Sequence, residues 1–423
     1  MSARDPRATG PAQPWTAWRV VLMFGFVSLA ADMVYEGARS LYGPLLAALG
    51  ASAVVVGAVT GAGEAMALVL RLVFGPLADR TGRYWTLTIL GYGLTIVAVP
   101  LLAVTPFVGG IGLALAAVLI LAERAGKAVR SPSKSALLAH VAGAVGRGRG
   151  FGVHKAMDQT GAFAGPLLVA AVVAIAGGIW AGLLVLVIPG AVAMVLLFVI
   201  RAKVPDPSVY DGSTAPAAPA GTARRGWLAD AAGADLPREF FVYAVAASLL
   251  TGGLVTFGLI SYHLTVAGML PVATVPLVYA GAMLAEAAAA LVVGWLYDRV
   301  SSAVLYAVPV LVALVPGLAL SGHLVPALVG IGVWGFAFGL QDSTIKALVA
   351  DLVEPPRLAT AYGVFAAIQG VTALGGGVLA GWLYERSLPG LVVVIAATQL
   401  IALVLLVGAL RTSRRARRAG TPD

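Results

Sequence analysis

The sequence predicts an all-α membrane protein with twelve transmembrane helices arranged as two pseudo-symmetric six-helix bundles. Three observations carry that expectation. The 423 residues are 60% hydrophobic and only 11% charged, where a soluble domain holds roughly a quarter charged, and the mean hydropathy is +0.94. The apolar stretches are continuous and long, and about 20 apolar residues cross a bilayer, so a dozen spans fit with short turns. A short motif, Gly75-Pro76-Leu77-Ala78-Asp79-Arg80-Thr81-Gly82-Arg83, recurs in degraded form as Gly294-Trp295-Leu296-Tyr297-Asp298-Arg299, 219 positions later. Each copy is pinched between membrane-length segments, as a duplicated bundle requires. A transmembrane barrel is disfavoured, because its strands alternate in polarity over about ten residues.

The predicted spans lie near 18–46, 53–78, 84–104, 108–130, 149–175 and 178–201, then near 238–266, 272–297, 301–321, 324–350, 358–384 and 388–411. Residues 1–201 form the first bundle, and residues 238–423 form the second with a basic tail. Between them, 202–237 is rich in Pro, Ala, Gly and Asp and reads as a flexible linker with a short surface helix around Gly226–Ala232. The first span serves as an uncleaved insertion signal, since the polar residues 1–13 lack the apolar core of a cleavable one.

Charge sets the orientation. Arg4 and Arg7, Arg80 and Arg83, Lys134, Arg147 and Arg149, Lys203, Arg224 and Arg225, Arg299, Arg357 and the tail Arg414-Arg415-Ala416-Arg417-Arg418 all fall on one side. The intervening loops 47–52, 105–107 and 267–271 carry no charge, and Arg386 alone breaks the pattern. Both termini are therefore expected in the cytoplasm of a plasma (inner) membrane protein, with an even number of spans. The same distribution explains the formal charge of +9 without a nucleic-acid partner. With no cysteine, disulfides and thiolate chemistry are excluded. No metal-ligand, phosphate-loop or nucleophile-elbow pattern is present, so neither an enzyme nor a bound cofactor is expected.

The duplication has further traces. A shift of 211 places Phe151-Gly152-Val153 on Tyr362-Gly363-Val364, Gly165 on Gly376, and Ser135-Ala136-Leu137 on Lys346-Ala347-Leu348. A smaller echo sets Gly294-Trp295-Leu296-Tyr297-Asp298-Arg299 against Gly381-Trp382-Leu383-Tyr384-Glu385-Arg386. These two fall on opposite membrane sides, as nested inverted repeats would place them; chance similarity of helix ends is the alternative.

Charge at a helix centre costs roughly 2.5–3.5 kcal/mol or more in a bilayer, so each such group needs a partner, a cavity or a function. Asp32, Glu36 and Arg39 are spaced i, i+4, i+7 on one face of span one. Span two adds Glu64 at mid-depth and Arg71 nearer the cytoplasm. Span four ends with Glu123, Arg124, Lys127 and Arg130, span five begins with His154, Lys155 and Asp158, and span eight carries Glu286 with no cation in its own helix. Span ten carries Asp342 and Lys346 in its inner part. Asp32, Glu36, Arg39, Glu64, Asp158 and Glu286 are the candidates for proton coupling or substrate binding. The alternative is permanent ion pairs, Glu36 with Arg39 or Glu64 with Arg71. His154 and His263 read as interfacial, Trp295, Trp382 and Tyr384 as belt aromatics, and Trp334, Phe336 and Phe338 as core or cavity lining. Asp79 reads as a cap for span three.

The loop motif and its echo resemble the loop between the second and third helices of the major facilitator superfamily and its counterpart between helices eight and nine. That resemblance covers essentially the whole chain. It implies a cytoplasmic latch, formed by Gly75, Asp79, Arg80, Gly82 and Arg83, that holds the bundles together when the cavity faces outward. Tyr84-Trp85 stands where a second basic residue is usual, and the echo at Asp298-Arg299 lacks the later glycine and arginine. Gly161, Gly165 and Pro166 in span five resemble the glycine–proline motif of the exporter branch, without the glycines expected after the proline; packing of small residues four apart is the other reading. The stretches Ala31–Ser40 and Gly126–Pro132 look like a bacterial subgroup of the superfamily.

The expected activity is secondary active transport of a small molecule by alternating access, coupled to a proton or another ion, with export preferred and a monomer as the working unit. The alternative is an importer or facilitator of a small polar solute.

Overall fold

The computed structural model describes residues 15–210, 236–353 and 357–419. The described residues form helices and short turns and no strands. Eleven helices among them are long and apolar enough to cross a membrane, and a shorter apolar helix, Val304–Ala319, occupies the ninth span position. This is the expected twelve-helix architecture. An even number of passes returns Ala419 to the face where Ala17 begins, called here the termini face.

Span one is not one rod. It runs Ala17–Arg39, turns at Ser40 and Leu41, and resumes as Tyr42–Ala48. Ser40 stabilises the turn by donating from Oγ to the Gly37 carbonyl at 2.6 Å. Span seven is broken likewise, into Arg238–Gly253 and Phe257–Val266, with Thr256 capping the second piece. The two distal pieces pack on each other across the bundle interface. There, a Cβ on Gly43 would lie 2.5 Å from the Gly258 carbonyl oxygen, so only glycine permits the approach.

Span four departs from the expected 108–130. It is a single helix, Gly112–Val145, with Pro132 inside it. The segment read as a loop is helical because Leu137, Leu138 and Val141 bury their side chains with Val20, Val21 and Leu197 of spans one and six. That burial outweighs the hydrogen bond lost at the proline. Only Gly146, at φ 90°, separates it from span five, Arg147–Ala176. The start of the linker folds back, with Trp85 Nε1 donating to the Pro205 carbonyl at 3.0 Å and Tyr210 Oη to the Trp15 carbonyl. The expected helix at 226–232 lies outside the described residues.

The bundles meet along a glycine seam. Spans two (Ala53–Thr81) and eleven (Leu358–Arg386) cross where Gly57 faces Gly377, Gly61 faces Ala373 and Gly381 faces Ala53, backbone on backbone. Thr60 and Thr256 hydroxyls hydrogen-bond across it at 2.8 Å, and the Val54 amide donates to Glu385 at 3.1 Å. Together with Gly43 on Gly258, this closes the face away from the termini. Between the bundles lies a cavity of about 350 Å³. It reaches the termini side through Lys155 and Asp342, both exposed.

Candidate functional site: a charged cavity between the bundles

The helical repeat of span one sets Asp32, Tyr35, Glu36 and Arg39 on one stripe, and all four are buried at the cavity wall. Two clusters form around that stripe.

The first is an ion network. Arg39 Nη2 donates to Glu64 Oε1 at 2.5 Å and Arg39 Nη1 lies 3.7 Å from Glu36 Oε1. Arg124 reaches Glu64 at 3.8 Å and Glu123 at 3.2 Å, while Lys127 Nζ is 4.0 Å from Glu36. Glu123 also accepts from Tyr42 Oη at 3.3 Å. Tyr279 of span eight (Val275–Val300) donates its hydroxyl to Glu36, carrying the network into the second bundle. Three carboxylates thus face three cations, the arrangement that offsets the desolvation of buried charge. Gly63 makes room for it, since a Cβ there would touch Arg124 Cγ at 3.0 Å.

The expected Glu36–Arg39 pair is present as a secondary contact. The Glu64–Arg71 pair is replaced by Glu64 with Arg39 and Arg124. Residues seven apart on a helix are about 10 Å apart along its axis, too far for that contact, whereas spans one and four bring cations directly to Glu64. Glu123, Arg124, Lys127, Tyr42 and Tyr279 were not among the candidate site residues. The i, i+4, i+7 spacing of Glu123, Lys127 and Arg130 within span four was the signal.

The second cluster joins spans one and five. The Asp32 and Asp158 carboxyl groups face each other closely enough to share a hydrogen bond. Lys155 Nζ lies 3.5 Å from Asp158 Oδ2. Lys134 Nζ donates to Ser28 Oγ at 2.9 Å, and Ser28 Oγ meets His154 Nε2 at 2.8 Å. Gly161 and Gly165 bring the two spans together: a Cβ on either would overlap the Leu29 or Met33 carbonyl. The glycine–proline motif therefore has a packing role in this fold. The equivalent contact in the second bundle sets Gly376 against Gly252, and beside it Gln369 Nε2 donates to Thr251 Oγ1 at 3.0 Å.

Glu286 is buried and lines the same cavity from span eight. Beside the ion network, with the Arg39 guanidinium 5.7 Å from the Phe338 ring, Trp334 and Phe338 stack at 5.5 Å, and Trp334 Nε1 donates at 2.7 Å to the Val255 carbonyl in the break of span seven. Phe336 packs on the second-bundle core instead.

The loop motif sits at the termini face. Gly82, at φ 63°, caps span two. Asp79, Arg80 and Arg83 are exposed, and Asp79 accepts from Tyr84 Oη at 3.0 Å. Asp79 does not cap span three: Arg83 occupies that position and makes no side-chain cap bond. Gly75 approaches Pro132 at an ordinary contact distance, 3.9 Å for an added Cβ. The side chains of Asp298, Arg299, Trp295 and Lys346 lie outside the described residues.

Both histidines differ from expectation. His154 and His263 are buried, and His263 bonds Tyr384 Oη at 2.8 Å and the Ser321 carbonyl at 3.0 Å. Tyr384 is thus a tertiary contact rather than a simple belt aromatic, while Trp382 is exposed under Arg386 at 4.5 Å.

Two helical bundles around a buried, ionisable cavity define a membrane carrier rather than an enzyme. The sequence profile of the Major Facilitator Superfamily matches residues 22–340 and 270–423, and the chain belongs to that superfamily. It is 49% identical over 404 residues to an uncharacterised protein of Mycobacterium tuberculosis, covering 94% of each chain. An uncharacterised MFS-type transporter of Methanocaldococcus jannaschii is 23% identical over 390 residues, covering 87% of this chain and 89% of its own. Among solved structures, the nucleoside transporter NupG matches with TM-score 0.71 at 15% identity, over 92% of this chain and 99% of that one. A POT-family transporter in complex with 5-aminolevulinic acid matches with TM-score 0.71 at 14% identity, over 94% and 96%. The chain is a multi-pass membrane transporter.

Proposed function

We propose that this transporter exports a small molecule by exchange for protons, working as a single chain in the plasma membrane with both termini in the cytoplasm. The observation that supports proton coupling is the Asp32–Asp158 pair. Ionised carboxylates only accept hydrogen bonds, so two carboxyl groups facing each other are joined when one proton sits between spans one and five. Removing that proton leaves two facing negative charges beside Lys134 and Lys155, a change felt by both helices.

With the termini in the cytoplasm, the cavity faces inward here. The exposed Asp79, Arg80 and Arg83 then belong to a latch that engages in the opposite state. Glu36 and Glu64 are matched by cations, so we assign them to holding the cavity wall and to the Tyr279 link rather than to carrying the proton. Export is supported by the apolar wall of the second bundle, where Met283, Trp334 and Phe338 suit a partly lipophilic cargo.

The test is a substrate screen in proteoliposomes with an imposed pH gradient and an internal pH dye. Asp32→Asn and Asp158→Asn should each abolish gradient-driven transport while exchange of labelled for unlabelled substrate persists. Retention of gradient-driven transport in both variants refutes the coupling assignment. Uptake into right-side-out vesicles under an inward proton gradient refutes export.

A further inference from the structure

We infer that the cavity takes an amphipathic organic anion, its acid group held by Arg71 and Arg130 near Tyr35 and its apolar body set against Phe338. This names the cargo class of the transport site proposed above and rests on that reading for its location.

The argument begins with charge matching along the wall of the first bundle. Arg39, Arg124 and Lys127 are matched by Glu36, Glu64 and Glu123, and Lys155 by Asp158. Lys134, bonded to Ser28, and Arg71 and Arg130 remain in the same cavity. Arg130 is 4% exposed and is positioned by neutral groups: Nη1 donates to Thr95 Oγ1 at 2.7 Å, and the guanidinium lies over the Tyr35 ring at 5.1 Å and the Tyr92 ring at 4.7 Å. Lys127 Nζ sits over the same Tyr35 ring at 4.1 Å. Arg71 is an electrostatic neighbour of Asp342 and Glu64 and, more weakly, of Tyr35 and Arg130; its buried Nε makes no hydrogen bond.

Two cations over one ring, with the unused buried donor of Arg71 in the same cavity, form a receptor for oxygen anions. Guanidinium forks match carboxylate and phosphate geometry, and holding them pre-positioned spares a ligand the ordering cost. The opposing wall supplies the complement. Trp334 is buried and locked by its bond to Val255, and Phe338, half-buried, stacks on it at an interplanar angle of 10° with the Arg39 guanidinium 5.7 Å from its ring, so Phe338 is the aromatic edge left to the cavity. A ligand with one anionic end and one flat or apolar body spans the two bundles and contacts both. The charge also suits the proposed direction, because an interior-negative membrane expels anions and draws protons inward.

The test uses the full chain in phosphatidylcholine nanodiscs and isothermal titration calorimetry. The probes are 4-phenylbutyrate, 3-phenylpropyl phosphate, 4-phenylbutyramide and 4-phenylbutylamine. Either or both anions should bind at least ten-fold more tightly than the amide, and the amine should not bind. Arg71→Gln and Arg130→Gln should each weaken the anion ten-fold or more while leaving the amide unchanged, and Phe338→Ala should weaken 4-phenylbutyrate but not butyrate. Equal binding of amide or amine, no saturable binding of either anion, or anion affinity unchanged in both arginine variants would overturn the inference. So would loss of anion binding when phosphatidylglycerol is added, which assigns the site to a lipid headgroup. Anion-selective binding without proton flux in dye-loaded proteoliposomes would defeat the proton reading and leave this one standing; proton flux driven by the amine does the reverse.

Discussion

Adding a methyl group at the glycine seam should push the protein out of the conformation seen here. A Cβ on Gly61 would lie 2.7 Å from the Ala373 carbonyl oxygen, where an ordinary carbon–oxygen contact is about 3.3 Å. Spans two and eleven must therefore separate by about 0.6 Å in Gly61→Ala, and by more in Gly57→Ala, whose Cβ would overlap the Gly377 carbonyl. Overpacking of this kind costs roughly 1–3 kcal/mol. At about 1.4 kcal/mol per factor of ten, that is a shift of roughly 5- to 150-fold in the balance between the two faces, because the strain exists only while the seam is closed. The chain contains no cysteine, so Ala48→Cys with Ala267→Cys gives a clean spin-label pair on the exposed tails of spans one and seven. The distance distribution should gain a longer component in Gly61→Ala and a larger one in Gly57→Ala. Gly281→Ala, with nothing within 4 Å of its added Cβ, is the control. An unchanged distribution in both seam variants, with unchanged melting, would refute the reasoning.

Arg124→Gln removes the cation closest to Glu123, a side chain with no exposure; stability in detergent should fall by about 3–5 kcal/mol, and adding Glu123→Gln should restore much of it in a thermal melt. Tyr279→Phe deletes the hydroxyl that ties Glu36 to the second bundle, worth about 1.5–3 kcal/mol for a bond to a charged group, and should broaden the same spin-label distances without loss of fold. Trp334→Phe leaves the Val255 carbonyl unpaired in the span-seven break. It should lower stability by about 1–3 kcal/mol, read as a lower melting midpoint.

The architecture was legible because a bilayer imposes one rule on every span. Sufficient apolar length, glycine-rich interfaces and basic loops on one side were all visible in the chain, and the 211-residue shift of Gly165 onto Gly376 anticipates two glycines that pack alike. The shape of individual spans was less legible. Ser40 and Thr256 break spans one and seven through local hydrogen bonds inside stretches of uniform hydropathy, and span four runs past its expected end at 130, through Pro132, because tertiary burial of Leu137 and Val141 keeps the helix going. At the site, the stripe of Asp32, Glu36 and Arg39 follows from helical spacing alone. Its partners do not: Asp158 is brought to Asp32 by glycine contacts at Leu29 and Met33, and Arg124 reaches Glu64 only through the crossing of spans two and four.

The pseudo-symmetry of the halves argues for what the acid pair is for. Shifting Asp32 by 219 positions, the spacing of the loop motif, gives Thr251; shifting Asp158 by 211 gives Gln369. The same two shifts carry the Met33–Gly165 contact onto Gly252–Gly376, so the two pairs occupy equivalent places. In the second bundle, that place is filled by a neutral hydrogen bond of 3.0 Å between Thr251 and Gln369. A neutral pair therefore suffices to join these helices, and it avoids placing ionisable groups in lipid. The first bundle nevertheless has two carboxyl groups there, flanked by lysines, at the wall of the cavity. Packing does not account for that choice, and the proton coupling proposed above does. The decisive comparison is Asp32→Thr with Asp158→Gln: the double variant should fold, close its seam and exchange substrate like the original, yet transport without moving protons.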